Sequence, residues 1–175
     1  MGAGSLVGVD ANGRFGRDDA FAYGHALAPY GLRWYEEPTD PLDYALLAEL
    51  AACYRNPIAT GENLFSVQDT VNLLRYGGLR PTLDIAQMDA GLSYGLTEYA
   101  AMIAALEAAG FDRCAAIPHG GHLLNLHIVA ALGLGGCEAY PNVFEPFGGY
   151  GSSCVLRDGL MVPGEEPGFG LETKA

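Results

Sequence analysis

Short apolar runs alternate with amphipathic stretches along most of the chain. "SLVGVDANG" (5–13) is apolar and ends at Asp10 in a turn, and "AFAYGHALAPYG" (20–31) follows with helical spacing. "LRWYEEP" (32–38) is strand-like and stopped by Pro38. "DPLDYALLAELAACY" (40–54) then opens with Asp40 as expected N-cap and Pro41 at the first helical position. "PIATGEN" (57–63) predicts a strand, and "SVQDTVNLLRYGG" a helix capped by Ser66 and closed by Gly77. The alternation continues with a strand in 82–89, a helix in 96–110 and a strand in 114–121. A helix from His122 and a last short strand, "CEAY" (137–140), complete it. After residue 150 the pattern changes. "CVLRDGLMVP" reads as a β-hairpin turning at Asp158-Gly159, and "GEEPGFGLETKA" reads as an irregular tail. The expected division is therefore 1–150 and 151–175. Repeated strand–helix units imply an α/β fold with a parallel sheet covered by helices.

The polar residues closing the strands carry the next signal. Asp10, Glu36 and Glu62 recur at intervals of 26 residues, and Asp89, His119 and Glu138 follow at 27, 30 and 19. One strand–helix unit has about that length, so each residue falls at the C-terminal end of a successive strand. In a (β/α)8 barrel those ends meet on one face, where catalytic groups gather. An open doubly wound sheet would set them in a row, and no GxGxxG follows the first strand. Three carboxylates on neighbouring strands suit a hard divalent cation, which points to Mg²⁺ on Asp10, Glu36 and Glu62. If Trp34 and Glu36 face inward, Glu37 points away and becomes a supporting or ion-pairing residue. Asn12 and Asn63 are expected beside the ligands. Each acid also has a plainer reading as a helix cap or solvated loop residue. Asp84 competes with Asp89 but lies inside its strand. "HGGH" (119–122) invites a two-histidine metal site, against which His122 reads as the opening of a helix. His25 and His127 read as ordinary helix residues.

Composition narrows the class. The 175 residues are half hydrophobic, with net charge -12 and pI near 4.5, so nucleic acid and anionic membranes are poor partners. No apolar run is long enough to span a bilayer, and no secretory leader is visible. Cys53, Cys114, Cys137 and Cys154 form no CxxC pair and suggest buried or indifferent thiols in the cytoplasm.

Asp10 in "VDANGRF", Glu36 in "WYEEP", Glu62 in "GEN", Asp89 in "DAGLSYGLTE" and His119 together resemble the enolase superfamily, in its mandelate racemase branch. The longer stretches "IPHGGH", "ALGLGGCEAYPNVFEPFGGY" and "PGFGLE" resemble the D(-)-tartrate dehydratases of that branch. The resemblance implies a partial TIM barrel, about strands three to eight, followed by the tail. It implies dehydration of a hydroxy-diacid, D-tartrate to oxaloacetate, through an enediolate stabilised by Mg²⁺ on Asp10, Glu36 and Glu62. His119 would act as general acid on the departing hydroxyl and touch substrate, Asp89 would hold His119, and Glu138 would contact substrate. Family members are commonly homo-oligomers. The family's α-proton base is a lysine in a Lys-x-Lys motif on the second barrel strand. The only lysine here is Lys174, so the chain is expected to be the C-terminal part of a longer enzyme or a truncated product. Three alternatives stand beside this reading. They are another acid-sugar dehydratase or racemase, a metal-binding barrel remnant without turnover, and a generic α/β domain whose acids cap helices.

Overall fold

A computed structural model describes residues 7–140, 150, 154–165 and 167–169. Four short strands, β1 (Val9–Asp10), β2 (Tyr35–Glu36), β3 (Ile58–Thr60) and β4 (Ile85–Ala86), form one parallel sheet in chain order. The register sets Asp10 beside Glu36, Glu36 beside Ala59 and Thr60 beside Ala86. Backbone bonds carry the pairing past these bounds, as in Ala11 N–H to Glu36 O (3.0 Å) and Gln87 N–H to Thr60 O (2.9 Å).

An unreversed strand order decides the architecture. With right-handed crossovers, each step moves the same way and leaves its helix on the same face. A doubly wound sheet reverses direction and covers both faces. Here α1 (Arg17–Leu27), α2 (Tyr44–Cys53), α3 (Val67–Tyr76) and α4 (Leu96–Ala108) pack one on the next in sequence, as in an arc of a barrel. Alternation in β2 sorts its side chains accordingly. Tyr35 is wholly buried and meets Tyr54 edge-on at 5.7 Å, while Trp34 and Glu36 share the other face. The core joins strand residues such as Ile58 to Leu47, Leu50, Leu73, Ile103 and Leu106 on the helices.

Local signals place most of the helix ends. Ser66 and Asp69 form a reciprocal capping box at the start of α3, and Gly77 follows its last turn. The start of α2 differs from expectation. Its cap is Asp43, which accepts from Leu46 N–H, whereas Asp40 accepts from Leu42 N–H and closes a turn before the helix. Two acids three residues apart can each cap, and here Asp43 caps the helix while Asp40 closes the turn before it. His122 caps α5 (Leu123–Leu132), which ends at left-handed Gly133.

The later strands are weaker than their sequence suggests. Where a strand over 114–121 is expected, the chain makes a 3-10 turn, Arg113–Ala115, and one parallel bridge, Ala86 to Ala116. His119 N–H still bonds Gln87 O at 3.2 Å, so the fifth position in the sheet is kept. The expected strand in 137–140 does not form. Gly135 N–H reaches Ala116 O at 3.0 Å, but beyond it side chains hold the backbone: Tyr150 O–H bonds Glu138 O at 2.7 Å. The hairpin is present as β5 (Val155–Arg157) and β6 (Leu160–Val162), antiparallel. Asp158 and Gly159 both have positive φ, as a two-residue turn matching strand twist requires. The motifs "ALGLGGCEAYPNVFEPFGGY" and "PGFGLE" fall partly outside the described residues. Among the described residues no helix is long and apolar enough to cross a membrane.

Candidate active site

The polar residues anticipated at the strand ends lie at the carboxyl edge of the sheet. Asp10 and Glu36 share a rung of the ladder, and Glu62 lies two residues past β3. Asp10 is exposed, and its carboxylate accepts from Asn12 N–H at 2.6 Å. Glu36 is buried and takes the Trp34 indole N–H at 2.7 Å. Glu37 has φ +34, which turns the chain as β2 ends. Its buried carboxylate accepts from the Asn63 amide at 3.0 and 3.1 Å, and the same amide lies 3.4 Å from Glu62.

His119 is the centre of the arrangement. Its Nε2 lies 3.4 Å from Glu62 Oε2 and 3.9 Å from Glu138 Oε2, and its Nδ1 lies 3.8 Å from Asp89 Oδ2. At 3.8 Å the last is an attraction between charges rather than a formed hydrogen bond. The Asp89 carboxylate nevertheless raises the His119 pKa to about 9, against burial and with help from Glu62 and Glu138. Burial alone would push Asp89 up. His119, His122 and the Gly91 N–H outweigh it and hold Asp89 well below the usual carboxylate range.

The three expected metal ligands reach one face but do not close into a cage. Among the described residues no three His, Cys, Asp or Glu side chains are grouped closely enough to hold an ion as they stand. Burial, and then the charges of Asp10 and Glu138, push both Glu36 and Glu62 up. Each acid turns to a compensating neighbour: Asn12 for Asp10, Trp34 for Glu36, His119 for Glu62. The donor set is all oxygen and mutually repelling, which fits a hard divalent cation.

The other candidates separate cleanly. Asp84 is structural: it pairs with Arg80 at 2.6 Å and accepts from Ile58 N–H. Glu138 accepts from Gly120 N–H at 2.8 Å and from the Tyr140 hydroxyl. His25 lies in α1, and His127 lies in α5 facing Phe169. The four cysteines are unpaired, with Cys53 and Cys114 exposed rather than buried. Sequence reasoning missed Asn125 and Tyr140, and it read His122 only as the opening of a helix. Asn125 donates to the carbonyls of His119 (2.5 Å) and Gly120 (3.0 Å), Tyr140 meets Glu138, and His122 Nε2 lies 3.5 Å from Asp89 Oδ2. Only His122 had a signal, in "HGGH".

These charges set a pH dependence. Burial raises Glu37 to about 7, so the folded chain holds a proton there that the unfolded chain releases above its ordinary 4.5. His119 does the same between 6.5 and about 9. In both windows the folded state binds more protons, so stability falls as pH rises. Without divalent cations, the thermal midpoint is expected to be several degrees lower at pH 8.5 than at pH 5.5. Glu37 accounts for about 1 kcal/mol or more of this. Calorimetry across that range checks it, and a midpoint rising with pH would contradict it.

A barrel arc with acids and a histidine at its carboxyl edge defines part of an α/β-barrel domain. The chain belongs to the enolase C-terminal domain-like family, which matches residues 1–175. It is 34% identical over 170 residues to 3,6-anhydro-alpha-L-galactonate cycloisomerase of Streptomyces coelicolor, covering 93% of this chain and 43% of that protein. It is 32% identical over 166 residues to L-talarate/galactarate dehydratase of Salmonella typhimurium, covering 93% and 39%. The crystal structure of the Salmonella enzyme superposes with TM-score 0.80 at 29% identity, over 97% of this chain and 40% of that one. L-Talarate dehydratase from Polaromonas sp. JS666, complexed with Mg and L-glucarate, gives TM-score 0.76 at 30% identity, over 93% and 42%. The chain thus spans about two-fifths of the length of the relatives it matches.

Proposed function

We propose that this chain forms the acid- and histidine-bearing part of a Mg²⁺-dependent dehydratase of hydroxy-diacids, with D-tartrate as first candidate and oxaloacetate as product. The observation that carries the reading is the meeting of His119 with Asp89, Glu62 and Glu138 at the carboxyl edge of the sheet. Asp10, Glu36 and Glu62 would hold Mg²⁺, which, when bound, supplies Lewis-acid polarisation of the substrate carboxylate. Asp89 keeps Nδ1 of His119 protonated and turns Nε2 toward the space between Glu62 and Glu138. From there Nε2 gives its proton to the departing β-hydroxyl, which leaves as water. Asn63 bridges Glu37 to Glu62 and holds the latter in place. Asn12 does the same for Asp10. The enol left by loss of the α-proton and the hydroxyl becomes the keto acid.

The relatives favour a second reading within the same chemistry. Galactarate and talarate, named for the Salmonella enzyme, are hydroxy-diacids like tartrate. The α-proton base is not supplied by a lysine of the described residues, the single Lys174 lying outside them. The test is keto-acid formation by the whole protein with Mg²⁺ and tartrate, galactarate or glucarate in turn. Tartrate turnover supports the first reading, and galactarate or glucarate turnover the second. Inversion of a substrate without keto acid marks a racemase and sinks both. Glu62→Gln is expected to weaken Mg²⁺ binding at least about tenfold in isothermal titration. Unchanged affinity would remove Glu62 from the metal site.

A further inference from the structure

The second histidine of "HGGH" has no part in the proposed reaction, yet it occupies a built position. Its Nδ1 accepts from Asn125 N–H at 3.3 Å and so caps α5. A ring nitrogen that accepts carries no proton, so the proton of the neutral ring sits on Nε2. Nε2 lies 3.5 Å from Asp89 Oδ2, the oxygen that also faces His119 Nδ1. The other carboxylate oxygen, Oδ1, is taken by Gly91 N–H at 2.5 Å. Two glycines leave room for this contact. A Cβ on Gly91 would stand 3.1 Å from Asp89 Oδ1 and 3.2 Å from His122 Nε2. On Gly120, at φ +89, it would stand 2.9 Å from Asp89 Oδ2 and 3.1 Å from His122 Nε2. Neither glycine could carry a side chain without crowding Asp89 and His122.

We propose that His122 is a positioning residue: the helix cap fixes its Nε2–H tautomer, and that proton clamps Asp89 so that its Oδ2 is presented to His119 Nδ1. The carboxylate is then held from Gly91 on one oxygen and from His122 on the other. Its orientation toward His119 no longer depends on His119 itself. Helix α5 therefore sets the hydrogen-bonding state of a side chain just past β4 through one imidazole. The catalytic half of this inference rests on the dehydratase reading above, and the structural half does not.

Two substitutions separate the cap from the clamp. Asparagine keeps an acceptor at the cap but has no nitrogen at the far side of the ring. Glutamine extends an amide N–H toward Asp89 and gives up the cap. In the whole, metal-free protein at pH 10, where the His119 ring is mostly neutral, ¹⁵N imidazole spectra are expected to show His122 as the Nε2–H tautomer and His119 as the Nδ1–H tautomer. His122→Asn is expected to keep the thermal midpoint of the parent and to mix the His119 tautomers. It should also lower kcat about tenfold with KM changed less than twofold. His122→Gln is expected to restore the His119 tautomer and most of kcat at a lower thermal midpoint. An Nδ1–H tautomer at His122 overturns the proposal, as does a His122→Asn protein whose His119 spectrum matches the parent. If no hydroxy-diacid is turned over, the dehydratase reading fails while the spectra still decide the clamp.

Discussion

His119→Asn is expected to lower kcat for keto-acid formation by two to four orders of magnitude, the usual contribution of a positioned general acid (about 10²–10⁴). The expectation rests on geometry and charge together. Asp89 faces one ring nitrogen, and Glu62 and Glu138 face the other. The Asp89 carboxylate, seconded by Glu62 and Glu138, holds His119 at about 9, so the ring is protonated at neutral pH and able to give a proton. Asparagine preserves size and polarity but cannot donate a proton. The substrate should still bind, so KM should change far less than kcat. Parent activity should decline on the alkaline side as His119 loses its proton, and that limb should be missing from the residual activity of the variant. Steady-state rates from pH 6 to 10 check this. A variant within tenfold of the parent would show that the leaving hydroxyl takes its proton from another group.

The largest effect on stability is expected at Arg80, far from the chemistry. Its guanidinium donates to the carbonyls of Ala51, Tyr54 and Asn56, at 3.2, 2.5 and 2.9 Å. It also grips both oxygens of Asp84, at 2.6 and 2.8 Å. Asp84 is buried and accepts in turn from Ile58 N–H and Arg80 N–H. This one pair ties the end of α2 and the start of β3 to the turn before β4. Arg80→Ala would strand a buried carboxylate and three carbonyls, at a cost of about 3–5 kcal/mol. Arg80→Lys should recover only part of it, because an ammonium cannot reproduce the planar fork. Urea unfolding of the two variants measures the difference. A loss below about 1 kcal/mol for Arg80→Ala would mean that water replaces the guanidinium.

Much of this was legible along the chain, and the reasons are local. Strand–helix alternation reflects hydrophobic periodicity, the 26-residue interval reflects the length of one unit, and Ser66, Gly77 and the Asp158-Gly159 turn act within a few residues of themselves. These features required no knowledge of distant neighbours, and they brought Asp10, Glu36, Glu62, Asp89 and His119 to one edge. Where two residues of the same chemistry lay close together, as at Asp40 and Asp43, the pattern could not choose between them. The later strands are legible only in part: Ala116 keeps one parallel bridge to Ala86, while 137–140 form no strand and Glu138 is held by side-chain bonds.

Only the tertiary structure decided how the gathered groups pair. It sent Glu62 to His119, Glu36 to Trp34 and Glu37 to Asn63, and among the described residues the three carboxylates close no cage. It separated Asp84, a buried partner of Arg80, from Asp89, and it gave His122 a second contact beyond its cap. Sequence order determines which residues arrive at the sheet edge, because that depends on the length of each repeating unit. Which atoms meet there depends on burial, repulsion between like charges and the room left by Gly91 and Gly120, and those exist only once the chain has folded.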